Sequence, residues 1–382
     1  MSKPEKLFPY PTYWVTVCAH KGGVGKTTVA AHLAASLLGQ LKKHGSTQPR
    51  VLIIDLDPQA NMTDAMASVP AHSHWLQQFC PILPDISQPS GFALPVRPTF
   101  ANLLRKRDEL TRDDIAACIE PVEGLPGLFL LPSGWDLERA SYELVATLPQ
   151  IKGLPPLAPA VRFIGTVFKQ FDQAYDVVVI DCPPGLSPYV SAALDRAHRV
   201  VMPALPDAYS LRALYETRDS VHEAFKSGNS LVDVGAVVLM QYNNTQVSRD
   251  IHAALQRVWQ DKLFAEVIPQ RTIFRELAVS ARPFHRNPLV FEMGKEYAEL
   301  GAIFDRLADL LLQQSPRLLA ARTHATNAQN PFHLRHVLQP SRTRPVPPRV
   351  APPGDHEAHL AALALLAAAR ETSAVPLTTE IV

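Results

Sequence analysis

The stretch Val15-Thr-Val-Cys-Ala-His-Lys-Gly-Gly-Val-Gly-Lys-Thr-Thr28 constrains this chain more than any other. A β-branched apolar run breaks into a glycine-rich loop, and a helical pattern begins at once. That order predicts a strand, a loop of free backbone N–H groups and a helix N-terminus, which together form a cradle for phosphate. Gly22, Gly23 and Gly25 allow close backbone approach to an anion. Lys26 can reach the β- and γ-phosphates, and the Thr27 hydroxyl can ligate Mg2+. The loop departs from the common form, which has glycine where this chain has His20, and a second lysine, Lys21, opens it.

A strand feeding directly into a helix calls for a parallel partner strand, and the chain supplies several. Arg50-Val-Leu-Ile-Ile-Asp55 and Tyr175-Asp-Val-Val-Val-Ile-Asp181 are apolar at consecutive positions, the pattern of strands covered on both faces. Further strands are expected at 15–19, 128–133, 199–202, 234–240 and 264–267. They alternate with helices at 28–43, 135–146, 161–171, 187–195, 210–224, 246–260, 272–281 and 291–314. This alternation predicts an α/β fold: a doubly wound, mostly parallel sheet with helices on both faces.

Composition locates the less regular parts. Of 382 residues 35 are proline, where an average chain would hold about 19. Eight fall in 70–127, read as an elaboration that is partly helical from Phe100 to Ile119. Nine prolines and seven arginines, without a lysine, populate 315–382. That segment is expected to be a disordered tail with one short Ala/Leu-rich helix at 356–370. Residues 1–13 are expected to be a leader, and 14–314 the main domain.

Lys and Arg number 37 against 36 Asp and Glu, a net charge of +1, which excludes a polyanion-coating protein but leaves room for a local basic face. The four cysteines, at 18, 80, 118 and 182, show no metal or redox spacing. Cys18 reads as a core residue and Cys182 as a small residue in a turn. Neither a signal peptide nor a bilayer-spanning run is visible, so a cytoplasmic setting is expected.

Phosphoryl transfer needs held phosphates, a metal, an oriented nucleophile and a cation for developing charge. Lys26 and the loop amides supply the first. Asp181, ending an apolar strand downstream of the phosphate loop, matches a metal-holding Walker B acid. Asp55 and Asp57 come directly after another buried strand. Asp57 is expected to orient attacking water and Asp55 to support metal-bound water.

These pieces resemble the ParA/MinD family of deviant-Walker P-loop ATPases, and within it the Soj-like ParA partition ATPases. The resemblance rests on Lys21-Gly-Gly-Val-Gly-Lys-Thr-Thr28, Asp55-Leu-Asp-Pro-Gln-Ala-Asn61, Leu131-Pro-Ser133, Tyr175-Asp-Val-Val-Val-Ile-Asp-Cys-Pro-Pro184, and Ala193-Leu with Val201-Met-Pro203 and Ser210-Leu. It covers roughly 14–314. It implies ATP and Mg2+ as cofactors, with Lys21, Gly22, Gly23, Val24, Gly25, Lys26, Thr27 and Thr28 around the phosphates and Thr27, Asp181 and Asp55 on the metal side. Asp57, Lys21 and Lys26 would be the catalytic residues, with Lys21 crossing a face-to-face homodimer to the partner's ATP. Tyr242, Asn243 and Pro269 are the expected adenine contacts. The ATP-bound dimer would bind nonspecific DNA at the nucleoid through Arg249, Arg271, Arg275, Arg282 and Arg286. A ParB-like partner would stimulate hydrolysis.

Two departures narrow these expectations. The leader of 13 residues is expected to be too short for the N-terminal helix-turn-helix of some plasmid relatives. The 356–370 segment has Arg370 as its sole basic residue, unlike a membrane-targeting basic helix, so no membrane partner is expected. The same kind of ATPase placing a non-DNA cargo, or a nonhydrolysing adaptor, are the alternative readings.

Overall fold

The computed structural model describes residues 12–67, 98–150, 152, 154–274 and 298–315. The bulk of the leader, the 70–97 part of the elaboration, the greater part of the helix expected at 272–281 and the 316–382 tail with its 356–370 helix lie outside the described residues.

Eight strands form one sheet: β1 (Tyr13–Val17), β2 (Val51–Asp55), β3 (Glu120–Pro121), β4 (Leu128–Leu131), β5 (Val177–Asp181), β6 (Arg199–Ala204), β7 (Asp233–Tyr242) and β8 (Leu263–Pro269). The spatial order is β3-β4-β2-β5-β1-β6-β7-β8. Every pairing is parallel except the edge pair β3–β4, so the sheet is mostly parallel as expected. The two-residue β3 went unseen in the sequence because so short a run carries no alternation.

Ten helices are described: α1 (Lys26–Lys43), α2 (Asn61–Met66), α3 (Phe100–Lys106), α4 (Arg112–Cys118), α5 (Leu137–Thr147), α6 (Ala158–Lys169), α7 (Pro188–Arg196), α8 (Ala208–Lys226), α9 (Gln246–Trp259) and α10 (Ala298–Gln313). Side chains alternate across the sheet and build two cores. Trp14, Leu52, Ile54, Val178 and Ile180 face α3 through α9. Val15, Ile53, Val177 and Val179 face α1, α2 and α10. The central strands β1, β2 and β5 are buried at every position, and each buried Val, Ile or Leu contributes roughly 1.5–3 kcal/mol.

Several boundaries differ from the expected ones. β1 starts at Tyr13, whose N–H bonds Asp176 O at 3.0 Å, so the sheet takes in the last residue of the expected leader. β6 runs on through Pro203 to Ala204, with Pro203 in register with Val238. α1 begins at Lys26 because the glycine loop passes straight into helical geometry.

The order of connections positions the site. From β1 the chain moves outward to β2 and β4, returns to β5, and then crosses to β6, β7 and β8 on the other side. The carboxyl ends of the central strands therefore open a crevice at the switch point, where open α/β sheets bind ligands.

Candidate functional site

The phosphate loop leaves β1 at that crevice. Gly23 and Gly25 have φ of 72° and 89°, the left-handed region that costs a residue with Cβ. A Cβ on Gly25 would also come within 2.8 Å of Met240 Cε at the end of β7. Gly25 is the N-cap of α1, no side chain caps the helix, and its first turn carries no acid. The leading N–H groups are thus left for an anion, and the helix dipole favours one. Gly22 and Gly23 are exposed, Val24 is buried beneath the loop, and Thr27 and Thr28 are half-buried. Lys26 is only 6% exposed, and its Nζ donates to Lys21 O at 3.1 Å.

Strand pairing assembles the acids. β2 and β5 are neighbours with Asp55 in register with Asp181, so two fully buried carboxylates end adjacent strands beside the loop. Among the described residues neither oxygen of Asp181 has a hydrogen-bond partner of good geometry, and the Thr27 hydroxyl is the nearby donor. Burial, then the Asp55 carboxylate, push its pKa well above the usual carboxylate range; the nearby Thr27 hydroxyl and Lys26 ammonium pull the other way. Orphaned buried oxygens beside a threonine hydroxyl are a fitting donor set for a hard divalent cation.

Asp55 is hydrogen-bonded at both of its oxygens. Its Oδ1 accepts Asp57 N at 3.0 Å, while Oδ2 accepts Thr63 N at 3.0 Å and Thr63 Oγ1 at 2.7 Å. A carboxylate offers about four acceptor sites, so at most about one is left for metal-bound water. Burial raises the Asp55 pKa, and these same hydrogen bonds oppose the rise. Asp57 is nearly buried at the start of a tight turn, its Oδ1 accepting Gln59 N at 3.0 Å.

The two residues that open the phosphate loop are both held by α8. His20 N donates to Thr217 Oγ1 at 3.1 Å, its Nε2 meets Ser220 Oγ at 3.0 Å, and its Nδ1 lies 3.8 Å from Glu216 Oε2. Burial lowers the His20 pKa, and Glu216 and Asp219 offset part of that. A glycine at position 20 could make the backbone contact but neither side-chain contact. Lys21 Nζ donates to Asp207 Oδ2 at 2.6 Å and Ser210 Oγ at 3.2 Å, and lies 5.9 Å from the Tyr209 ring centroid. Asp207 also caps α8, with its Oδ1 accepting Ser210 N at 2.8 Å. Sequence reading missed Thr63, Asp207, Thr217 and Ser220. The capping signal Asp207-Ala-Tyr-Ser210 was legible, but its tie to Lys21 was not.

Tyr242, Asn243 and Pro269 come together at the carboxyl edge of β7 and β8, where Tyr242 is in register with Pro269. Asn243 Oδ1 is engaged locally, accepting Ser248 Oγ at 2.6 Å and Thr245 Oγ1 at 3.1 Å at the start of α9. Arg249 and Arg271 are exposed. The Arg249 guanidinium bonds Asn244 O at 2.6 Å and Gln246 Oε1 at 2.8 Å. Arg275, Arg282 and Arg286 lie outside the described residues.

Cys18 and Cys182 are buried side by side at the ends of β1 and β5, and burial with the neighbouring thiol pushes Cys182 up. A buried thiol raised in this way is unreactive. Among the described residues no helix is long and apolar enough to cross a membrane.

Comparison with known proteins agrees with this geometry. A family model described as an AAA domain matches residues 13–234. The chromosome-partitioning ATPase Soj of Thermus thermophilus is 30% identical over 268 residues, 69% of this chain and 83% of that protein. The sporulation initiation inhibitor protein Soj of Bacillus subtilis is 26% identical over 277 residues, 72% of this chain and 89% of the relative. Among solved structures, the ATP complex of Cyanothece McdA superposes with a TM-score of 0.58 at 19% identity, covering 78% of this chain and 96% of that one. A putative plasmid partition protein from Borrelia burgdorferi bound to AMPPNP gives 0.54 at 18% identity, covering 80% and 100%. With a glycine cradle entering α1, a buried acid pair beside it and relatives of this kind over most of its length, the chain belongs to the ParA/MinD family of P-loop ATPases.

Proposed function

We propose that this ATPase is a partition switch: ATP and Mg2+ drive a homodimer that binds DNA without sequence preference at the nucleoid, and a ParB-like partner triggers hydrolysis and release. The observation that carries the reading is Lys21, a second lysine beside an intact phosphate loop, whose ammonium among the described residues bonds groups at the start of α8. Lys26 and the leading N–H groups of α1 would hold the phosphates. Thr27 and Asp181 would hold Mg2+, which when bound neutralises phosphate charge. Asp57 would orient water, and Lys21 would leave Asp207 for the partner subunit's nucleotide. Tyr242, Asn243 and Pro269 would border the base. Arg249, Arg271, Arg275, Arg282 and Arg286 would contribute to a summed positive face.

Exposed apolar side chains in the loops after β4 and β5 and in the first turn of α8 support a face that is covered in the working state. Trp135, Leu186 and Tyr209 are 71%, 64% and 75% exposed. The names of the Soj relatives support a partitioning cargo. The test is duplex DNA binding measured with ATP, with ADP and without nucleotide across a salt series. Binding is expected with ATP alone and should weaken steeply as salt rises. Equal binding in all three nucleotide states would overturn the switch.

A further inference from the structure

The Asp55 carboxylate is spent on a network that ends at Asp57 and begins at a residue with no role so far, Thr63. Thr63 is the third residue of α2 and is 1% exposed. Its N–H is one of the donors that a helix start leaves unpaired, and it goes to Asp55 Oδ2 at 3.0 Å. Its hydroxyl donates to the same oxygen at 2.7 Å and accepts Ser133 N at 2.8 Å. One hydroxyl thereby joins the loop after β4, the end of β2 and the start of α2. All three residues are buried.

The other Asp55 oxygen accepts Asp57 N at 3.0 Å. The turn beyond is closed by Ala60 N to Asp57 O at 2.8 Å, with Ala60 at a φ of 52°. Asp57 Oδ1 accepts Gln59 N at 3.0 Å, which orients the carboxylate from its own turn. The position of Asp57 is therefore set through Asp55, and the position of Asp55 through a hydroxyl that only Ser or Thr can supply in that geometry.

We infer that Thr63 is a positioning residue for ATP hydrolysis, latching Asp55 to Ser133 so that the Asp57 carboxylate is held where water is activated. The inference rests on the reading of Asp57 as the water-orienting group. It separates hydrolysis from nucleotide binding, because the hydrogen bonds of the Thr63 hydroxyl and N–H run to Asp55 and Ser133 and not to the phosphate loop or Lys26 among the described residues. Misplacement of a reacting group by about 1 Å costs on the order of 100-fold in rate.

The test measures phosphate release at saturating ATP and Mg2+, together with ATP affinity, for wild type, Thr63→Val, Thr63→Ala, Thr63→Ser and Asp57→Ala, all in the full chain. Val keeps the shape of Thr without its hydroxyl, Ala is the better helix former, and Ser restores the hydroxyl. Thr63→Val and Thr63→Ala are expected to lose about 10- to 100-fold in turnover. ATP affinity should stay within about threefold of wild type, and Thr63→Ser should recover most of the rate. Wild-type turnover in the Val and Ala variants would overturn the latch. So would a loss that tracks ATP affinity, or a Ser variant as slow as Val. If Asp57→Ala hydrolyses at the wild-type rate, the reading of Asp57 fails; if it is inactive while Thr63→Val is not, the latch alone fails.

Discussion

Lys21 Nζ sits 2.6 Å from Asp207 Oδ2, so the lysine that opens the phosphate loop is an ion-pair partner of the residue that caps α8. The side chains are 27% and 35% exposed, and a pair in such a setting is worth about 0–1 kcal/mol. It can hold Lys21 within its own subunit without competing seriously against a nucleotide phosphate. Asp207→Asn keeps the acceptor for Ser210 N and removes the charge. ATP-dependent dimerisation should tighten by up to about fivefold, a ratio readable by sedimentation. A weaker dimer would show instead that the assembled face needs the Asp207 charge.

The two loop lysines should separate on mutation. Lys26→Ala removes a nearly buried ammonium from the cradle and should weaken ATP binding about 10-fold or more, as loss of a charged hydrogen bond does. Lys21→Ala should keep most of the affinity yet lose hydrolysis and the stable dimer. Calorimetric titration beside size analysis checks both, and an active, dimerising Lys21→Ala protein would remove that lysine from the mechanism.

Asp181 is held at a cost to stability. The folded chain keeps its proton to a higher pH than the unfolded chain, so this group contributes most below about pH 4, and that contribution is lost as pH rises. Asp181→Asn should raise the unfolding free energy at pH 7, measured by urea titration, by about 1–3 kcal/mol and flatten this pH dependence, while hydrolysis falls at least about 10-fold. A destabilised variant would mean that the buried oxygens are satisfied in the folded protein.

His198 titrates in the opposite sense. Trp14 N donates to its Nδ1 at 3.0 Å, and burial lowers its pKa to about 4. The unfolded chain takes up a proton near pH 6.5, so the contribution is complete above that value and is lost as pH falls toward 4. His198→Asn retains an acceptor for Trp14 N without the titration. Between pH 7 and pH 5 the variant should lose less stability than wild type, by on the order of 1–2 kcal/mol, measured by urea unfolding at each pH.

Much of the fold was open to reading from residues alone. The unbroken apolar runs of β2 and β5 announced strands covered on both faces, and the glycine loop announced the passage from β1 into α1. Helix periodicity placed α5 through α9 to within a few residues. The reading faltered where local pattern is thin: at two-residue β3, and at Pro203, where the strand expected to stop at 202 runs on to Ala204. It also missed the partners of Asp55. An acid after a buried strand points toward a metal site, and nothing local shows that one of its oxygens also accepts from Thr63, eight residues on, in a helix too short to show a period.

What the sequence determined by itself is what neighbours along the chain decide: the phosphate cradle, the alternation of strand and helix, and the acids at strand ends. These come from steric and burial preferences acting over a few residues. Only the tertiary structure decided which side chains the phosphate loop would meet. His20 finds Thr217 across 197 positions and Lys21 finds Asp207 across 186. Such contacts depend on the order of strands in the sheet, because that order determines which loops share an edge, and no local periodicity encodes it.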